Sequence, residues 1–137
     1  MKLRIEGNSI RLRLNKRDVA ELTRTGQVKE AVDFNPAEDN RLVYLLEVDP
    51  EASRVQADYQ QGRLVVRLPR LLAREWMESD RVGVEGERRL GKAGTLKITV
   101  EKDFPCQHSP ERGRAGSTDA GSFPTPTTTA TNRKAGG

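Results

Sequence analysis

Ile10-Arg11-Leu12-Arg13-Leu14 and Leu64-Val65-Val66-Arg67-Leu68 are one alternating strand written twice, 54 positions apart. The correspondence runs outward from this pair without a gap across the first 104 residues. Glu21-Leu22 falls on Glu75-Trp76, and Val28 falls on Val82. Leu42-Val43-Tyr44-Leu45-Leu46-Glu47-Val48-Asp49 falls on Leu96-Lys97-Ile98-Thr99-Val100-Glu101-Lys102-Asp103. Only seven positions are identical. The reading rests instead on turns, helices and apolar alternation that all keep register. A repeat of this size predicts two halves packed about a pseudo-twofold axis.

Each half reads as strand-strand-helix-strand-strand. Lys2 to Ile5 alternates, with Leu3 and Ile5 on one face, and Gly7-Asn8 suits a hairpin turn. Ile10, Leu12 and Leu14 then alternate with Arg11 and Arg13. Asn15 is placed to cap a helix from Lys16 to about Arg24, with Val19 and Leu22 facing inward and Gly26 as its stop. Strands over Gln27 to Phe34 and Arg41 to Val48 complete the half, joined by the loop Asn35-Pro36-Ala37-Glu38-Asp39-Asn40. In the second half, strands over Arg54 to Tyr59 and Arg63 to Leu68 flank a Gln61-Gly62 turn. Pro69 takes the place of Asn15 at the start of a short helix carrying Leu71, Leu72, Glu75 and Trp76. Strands over Val82 to Gly86 and Thr95 to Lys102 follow, with Gly91-Lys92-Ala93-Gly94 between them.

Neither half buries enough apolar surface to be stable by itself, whereas the two together can hold one modest core. Apolar residues make up 34% of the chain and aromatics 4%, an average diluted by the C-terminal segment. From about Phe104 the apolar period stops. Residues 105–137 are rich in Gly, Ser, Thr and Pro and read as a disordered tail, with Phe123-Pro124 as the one candidate anchor for a protein partner. The single cysteine, Cys106, excludes an intramolecular disulfide. Met1 to Gly7 lacks the apolar run of a signal peptide, and no stretch approaches the roughly 20 apolar residues of a membrane span. The expectation is a soluble cytoplasmic protein with no membrane contact. The net charge of +4 permits contact with nucleic acid without arguing strongly for it.

Arg4-Ile5-Glu6-Gly7-Asn8-Ser9-Ile10-Arg11-Leu12-Arg13-Leu14 resembles the opening of the MazE-type antitoxin DNA-binding domain: a basic strand, Gly-Asn-Ser, and a second strand ahead of a short helix. Gly62-Arg63-Leu64-Val65-Val66-Arg67-Leu68-Pro69-Arg70-Leu71-Leu72 resembles the AbrB-type version, and Asp80-Arg81-Val82-Gly83-Val84 sits where that version has its turn and Val-rich strand. The resemblance covers about residues 1–102. It implies a swapped-hairpin barrel built from two interleaved copies, here both in one chain, as in MraZ-like tandem proteins. The whole chain also resembles a family of small bacterial proteins with no assigned function.

The same resemblance implies that basic residues of the first hairpin contact DNA, and Arg4 and Arg13 occupy the matching positions. Independently, strand alternation puts Lys2, Arg4, Arg11 and Arg13 on one face. Such a face attracts phosphates, and an arginine can read guanine bidentately. The structural alternative is a solvated sheet face. The second hairpin departs from the pattern: only Arg63 and Arg67 stay basic, Val65 replaces Arg11, and Asp58 replaces Arg4, where a carboxylate repels phosphate. Matching halves are expected of a reader of palindromic DNA, so this chain should bind DNA asymmetrically or weakly.

No catalytic constellation is legible. The only histidine, His108, lies in the tail, so no Ser-His pair is anchored on the scaffold. Cys106-Gln107-His108 supplies two of the four ligands of a closed zinc site. Gly7-Asn8-Ser9 is too short and too poor in glycine for a P-loop and serves the hairpin turn. The carboxylates Glu47, Glu101, Asp49 and Asp103 recur across the repeat, and pairing with Arg41 or Lys97, or exposure to water, accounts for them. Trp76 is read as a core aromatic.

The sequence therefore predicts an α+β fold. An internally duplicated strand-strand-helix-strand-strand unit (1–54 and 55–104) forms an AbrB/MazE-like swapped-hairpin β-barrel, followed by a disordered tail over 105–137. An ordinary α+β sheet without exchange is the alternative. The expected function is that of a DNA-binding transcriptional regulator or antitoxin-like protein. It would contact duplex DNA through Lys2, Arg4, Arg11, Arg13, Arg63 and Arg67, as a monomeric pseudo-dimer or a higher homo-oligomer, without catalysis, metal or cofactor. The alternative is a protein-interaction module that keeps the scaffold, has lost DNA contact and uses its tail to engage a partner.

Overall fold

The computed structural model of the protein describes residues 1–104. The expectations for the tail, including Phe123-Pro124, Cys106 and His108, lie outside the described residues. The fold is α+β: β1 (Lys2–Glu6), β2 (Ser9–Leu14), α1 (Lys16–Thr25), β3 (Gln27–Asn35), β4 (Asn40–Asp49), β5 (Gln56–Gln60), β6 (Arg63–Pro69), α2 (Arg70–Glu78), β7 (Gly83–Arg89) and β8 (Thr95–Lys102). Short 3-10 turns over Pro36–Glu38 and Gly91–Ala93 link β3 to β4 and β7 to β8.

Local chemistry sets these boundaries. The Asn15 side chain accepts from the Asp18 amide at 2.8 Å and the Asp18 carboxylate accepts from the Asn15 amide at 3.1 Å, a reciprocal cap that starts α1. Gly26, at φ 85°, ends it in a left-handed conformation and donates to the Leu22 carbonyl. α2 has no such devices. Pro69 offers no side-chain cap, and the far end is held by Lys102, whose ammonium donates to the Ser79 carbonyl at 2.7 Å. A cation is favourable at that pole of a helix.

The strands form two four-stranded sheets, ordered β1-β2-β8-β7 and β3-β4-β6-β5. Each combines one hairpin from the first half with one from the second. The joints are parallel, β2 with β8 and β4 with β6, while every hairpin is antiparallel. Ser9 lies opposite Lys97, and the residues aligned with them in the other half, Arg63 and Val43, lie opposite each other. The first hairpins match equally well: Lys2 faces Arg13, and Gln56 faces Arg67.

A closed barrel is not formed, which corrects the expectation. The two sheets remain separate ladders, joined at their edges by side chains. At one seam the Met1 ammonium pairs with Asp18 at 2.8 Å and Glu30 at 3.1 Å, and the Tyr44 hydroxyl donates to the Met1 carbonyl. At the other, Arg88 donates to the Ala57 carbonyl at 3.1 Å, and Gly86 packs so tightly on Val55 that a Cβ there would come within 2.7 Å of the Val55 Cβ. Two different chemistries bridge the two seams, and neither supplies the regular N–H···O ladder that closure requires.

Between the sheets lies one core. β2 contributes Ile10, Leu12 and Leu14, β6 contributes Leu64, Val66 and Leu68, and β8 contributes Ile98 and Val100. Leu22 of α1 and Trp76 of α2 cover it, both essentially inaccessible. Trp76 also donates from Nε1 to the Val82 carbonyl at 2.8 Å, so its one polar atom is satisfied.

The gapless alignment slips in one place. Val28 faces Leu46, but the residue facing Val100 is Val84, not Val82. Val84 is buried and Val82 is 57% exposed. Without a glycine stop like Gly26, the chain takes a longer path from α2 into β7. The turn between β7 and β8 is correspondingly tighter, which restores register in β8. β7 also extends to Arg89, past the expected end at Gly86, because its ladder with β8 continues through Arg88 opposite Leu96 and Arg89 opposite Thr95.

Trp76→Ala is expected to destabilise the fold by about 3–5 kcal/mol, the usual cost of removing a fully buried aromatic. Gly86→Ala is expected to cost about 1–3 kcal/mol through overpacking against Val55. Urea unfolding of each variant beside the wild-type protein measures both.

Candidate functional site

Strand pairing places the predicted cations in rows on the outer face of the β1-β2-β8-β7 sheet. Lys2 lies opposite Arg13, which lies opposite Glu101; Arg4 lies opposite Arg11, which lies opposite Thr99. The structure thus brings Lys2, Arg4, Arg11 and Arg13 together as expected, and it lays the carboxylates of β8 beside them. Glu101 pairs with Arg11 at 3.0 Å and with Arg13 at 3.1 Å. Asp103 pairs with Arg13 at 2.9 Å and with Lys2 at 2.9 Å. The Arg13 Nε is buried and lies beside Glu101 without hydrogen-bond alignment. The Lys2 hydrogen bond, against the opposing effect of burial and with help from the Arg13 charge, holds the Asp103 carboxyl below its ordinary value.

The other sheet carries the counterpart. Arg67, which aligns with Arg13, pairs with Glu47 at 3.0 Å and approaches Asp49 at 3.9 Å. These two carboxylates align with Glu101 and Asp103. Asp58, which replaces Arg4, closes the cluster by accepting from Arg67 at 2.6 Å and from Arg88 at 3.1 Å. Both parallel joints therefore set an arginine beside two carboxylates from the facing side: Arg13 is held by Glu101 and by Asp103 just past β8, and Arg67 is held by Glu47 with Asp49 farther off. The recurring carboxylates do not use Lys97 or Arg41; Arg41 binds Asp33 instead, at 2.8 Å. The parallel register, hidden from strand periodicity, is what selects these partners.

Of the six nominated cations, Arg4 and Arg63 remain comparatively uncommitted. Arg4 is exposed and reaches Glu6 only at 3.8 Å. Arg63 is exposed and enters no ion pair among the described residues. They are not counterparts, because position 58, not 63, corresponds to Arg4. Lys2 and Arg11 also lack a basic counterpart, at Gln56 and Val65, yet both are engaged by β8-side carboxylates, so what leaves Arg4 and Arg63 available is their distance from those carboxylates.

A second surface lies beside α2, outside the residues that the sequence nominates. An open groove of about 670 Å³ is lined by Pro50, Ala52, Ser53, Pro69, Arg70, Leu71 and Arg74. Leu71 is 75% exposed on the first turn of α2, where α1 carries Arg17. Arg70 and Arg74 beside it are exposed and enter no ion pair among the described residues. An exposed leucine between two arginines breaks the amphipathic pattern of the helix, and that break was the available signal. Among the described residues no group of three or more His, Cys, Asp and Glu side chains converges as a metal site would require. No helix of the described residues is long and apolar enough to cross a membrane.

The fold and these clusters define a two-sheet α+β domain whose parallel strand joints, β2–β8 and β4–β6, carry ion pairs. A family of unknown function (DUF7009) matches residues 1–126, and the chain belongs to that family. No curated protein and no solved structure matches the chain.

Because the folded-state carboxyl of Asp103 is held below its ordinary value of 3.8, it contributes stability above that pH, and the contribution is lost as pH falls further. The urea midpoint is expected to drop below about pH 4 more steeply in the wild-type protein than in Asp103→Asn, which should already be weaker at neutral pH.

Proposed function

We propose that this protein is a non-catalytic protein-interaction module, acting in the cytoplasm, on a scaffold of two duplicated units with exchanged hairpins. The observation that carries this reading is the internal neutralisation of the outer faces. Lys2, Arg11, Arg13 and Arg67 are engaged by Glu101, Asp103, Glu47 and Asp58, so releasing them to phosphates would expose those carboxylates beside the same phosphates. The α2 groove supplies what the faces lack: an uncovered leucine between two guanidiniums that enter no ion pair among the described residues. It fits a segment that presents an apolar side chain flanked by carboxylates, since an apolar anchor with charge-complementary rims is the common build of such contacts.

Kinship with AbrB/MazE-like domains belongs to the same proposal. The exchange of hairpins through β2–β8 and β4–β6 supports it, and the open seams count against a faithful copy. Duplex-DNA binding is the second reading. It is favoured by Arg4 and Arg63, which could reach phosphates without breaking a strong pair.

Fluorescence anisotropy with a randomised duplex separates the two. The module reading expects weak binding near 50 mM salt, gone by about 200 mM, and unchanged within about threefold by Arg13→Ala. Tight, salt-steep binding abolished by Arg4→Ala/Arg13→Ala in a folded protein would overturn it. A protein partner retained by the wild type should be released by Leu71→Asp or Arg74→Glu and kept by Arg13→Ala.

A further inference from the structure

Four strands, β1, β7, β3 and β5, bound the sheets, and each has an outer row of amides and carbonyls. At the β5–β7 seam that row is in use, by Arg88 on the Ala57 carbonyl and by the Gly86–Val55 contact. β3 is different. β1 makes no extended contact with it, and the link between them is the Met1–Glu30 ion pair. Beyond its ladder with β4, no hydrogen bond among the described residues reaches the backbone of β3 from Lys29 to Phe34. Its far half is open on both faces: Ala31 and Asp33 are exposed, Val32 is 42% exposed and Phe34 66%.

We propose that β3 is a self-association strand, through which two copies of this chain pair antiparallel about Ala31 and fuse their β3-β4-β6-β5 sheets into one. The side chains of β3 are self-complementary in that register. Lys29 of each copy lies opposite Asp33 of the other, and Ala31 faces Ala31. On the opposite side of the strand, Val32 meets the aliphatic stem of Glu30, while Val28 stays in the core and Phe34, at the bulge between Asp33 and Asn35, lies over the end of the contact. Lys29 is exposed and in no ion pair among the described residues, whereas Asp33 already holds Arg41, so the incoming ammonium would complete a charge triad. The other edges fail the same test at their centres. β1 would set Arg4 against Arg4, β5 would set Asp58 against Asp58, and β7 would set Glu85 against Glu87; like charges directly opposite are destabilising. The uncovered valine and phenylalanine give the β3 contact an apolar component that its charges lack. This assembly does not depend on the α2 groove or on whether the protein binds DNA.

Sedimentation equilibrium of the full chain, over a concentration series extending to about 100 µM, where a weak standard-size contact is still populated, tests it directly. The wild-type protein is expected to dimerise. Lys29→Asp and Asp33→Lys should each raise the dissociation constant about tenfold or more, because each places like charges across both positions. An equimolar mixture of the two variants should recover a dimer, since mixing restores opposite charges at both positions. Circular dichroism establishes that each variant is folded. A wild-type protein that stays monomeric overturns the proposal. So does a dimer indifferent to both substitutions, or a mixture of folded variants that fails to associate.

Discussion

A parallel strand pair cannot be closed by a tight turn, because the chain must travel back to the starting end before the second strand begins. In this fold both parallel pairs, β2–β8 and β4–β6, join strands from different halves. That constraint organises everything else. Each half gives one hairpin to each sheet, so neither sheet can form from one half alone. The alternating apolar positions of β2, β4, β6 and β8 converge on a single core. The helices cover that core, each as the connection between the two hairpins of its own half. An arginine and two carboxylates meet across each joint because parallel register puts position 13 beside position 101 and position 67 beside position 47.

Those ion pairs bear on function more than on stability. Partly exposed pairs contribute only about 0–1 kcal/mol each, far less than the apolar contacts inside. Their consequence is to remove most of the positive field from the surface that the sequence offered to nucleic acid. Among the cations nominated from the sequence, Arg4 and Arg63, on different sheets, are the least committed, and Arg70 and Arg74 beside Leu71 on α2 enter no ion pair among the described residues. The groove that combines a leucine with guanidiniums is the proposed dock for a protein segment, and the open edge of β3 the proposed contact for a second copy of the chain.

Periodicity made the elements legible. The alternation of Ile10-Leu12-Leu14 and Leu64-Val66-Leu68, the Asn15 cap and the Gly26 stop all predict features that the structure contains. Periodicity assigns a residue to a face but does not name the neighbouring strand, so the partners of Glu101 and Glu47 were not legible. The slip that exchanges Val82 for Val84 was hidden for a related reason. An extended path after α2 and a tighter turn before β8 cancel in the residue count, so a gapless alignment passes over both. Barrel closure was inferred from resemblance alone, and the seams show why resemblance was insufficient: a glycine packed against Val55 at one and an ammonium held by Glu30 at the other decide the edge geometry.

The most direct test of this account is nuclear Overhauser spectroscopy of the isotopically labelled protein, read for backbone proton contacts across the two joints. The account predicts contacts in parallel register between β2 and β8 around Leu12 and Val100, and between β4 and β6 around Leu46 and Val66. Contacts of β2 with β4, or of β6 with β8, would mean that each half forms its own sheet and would contradict it.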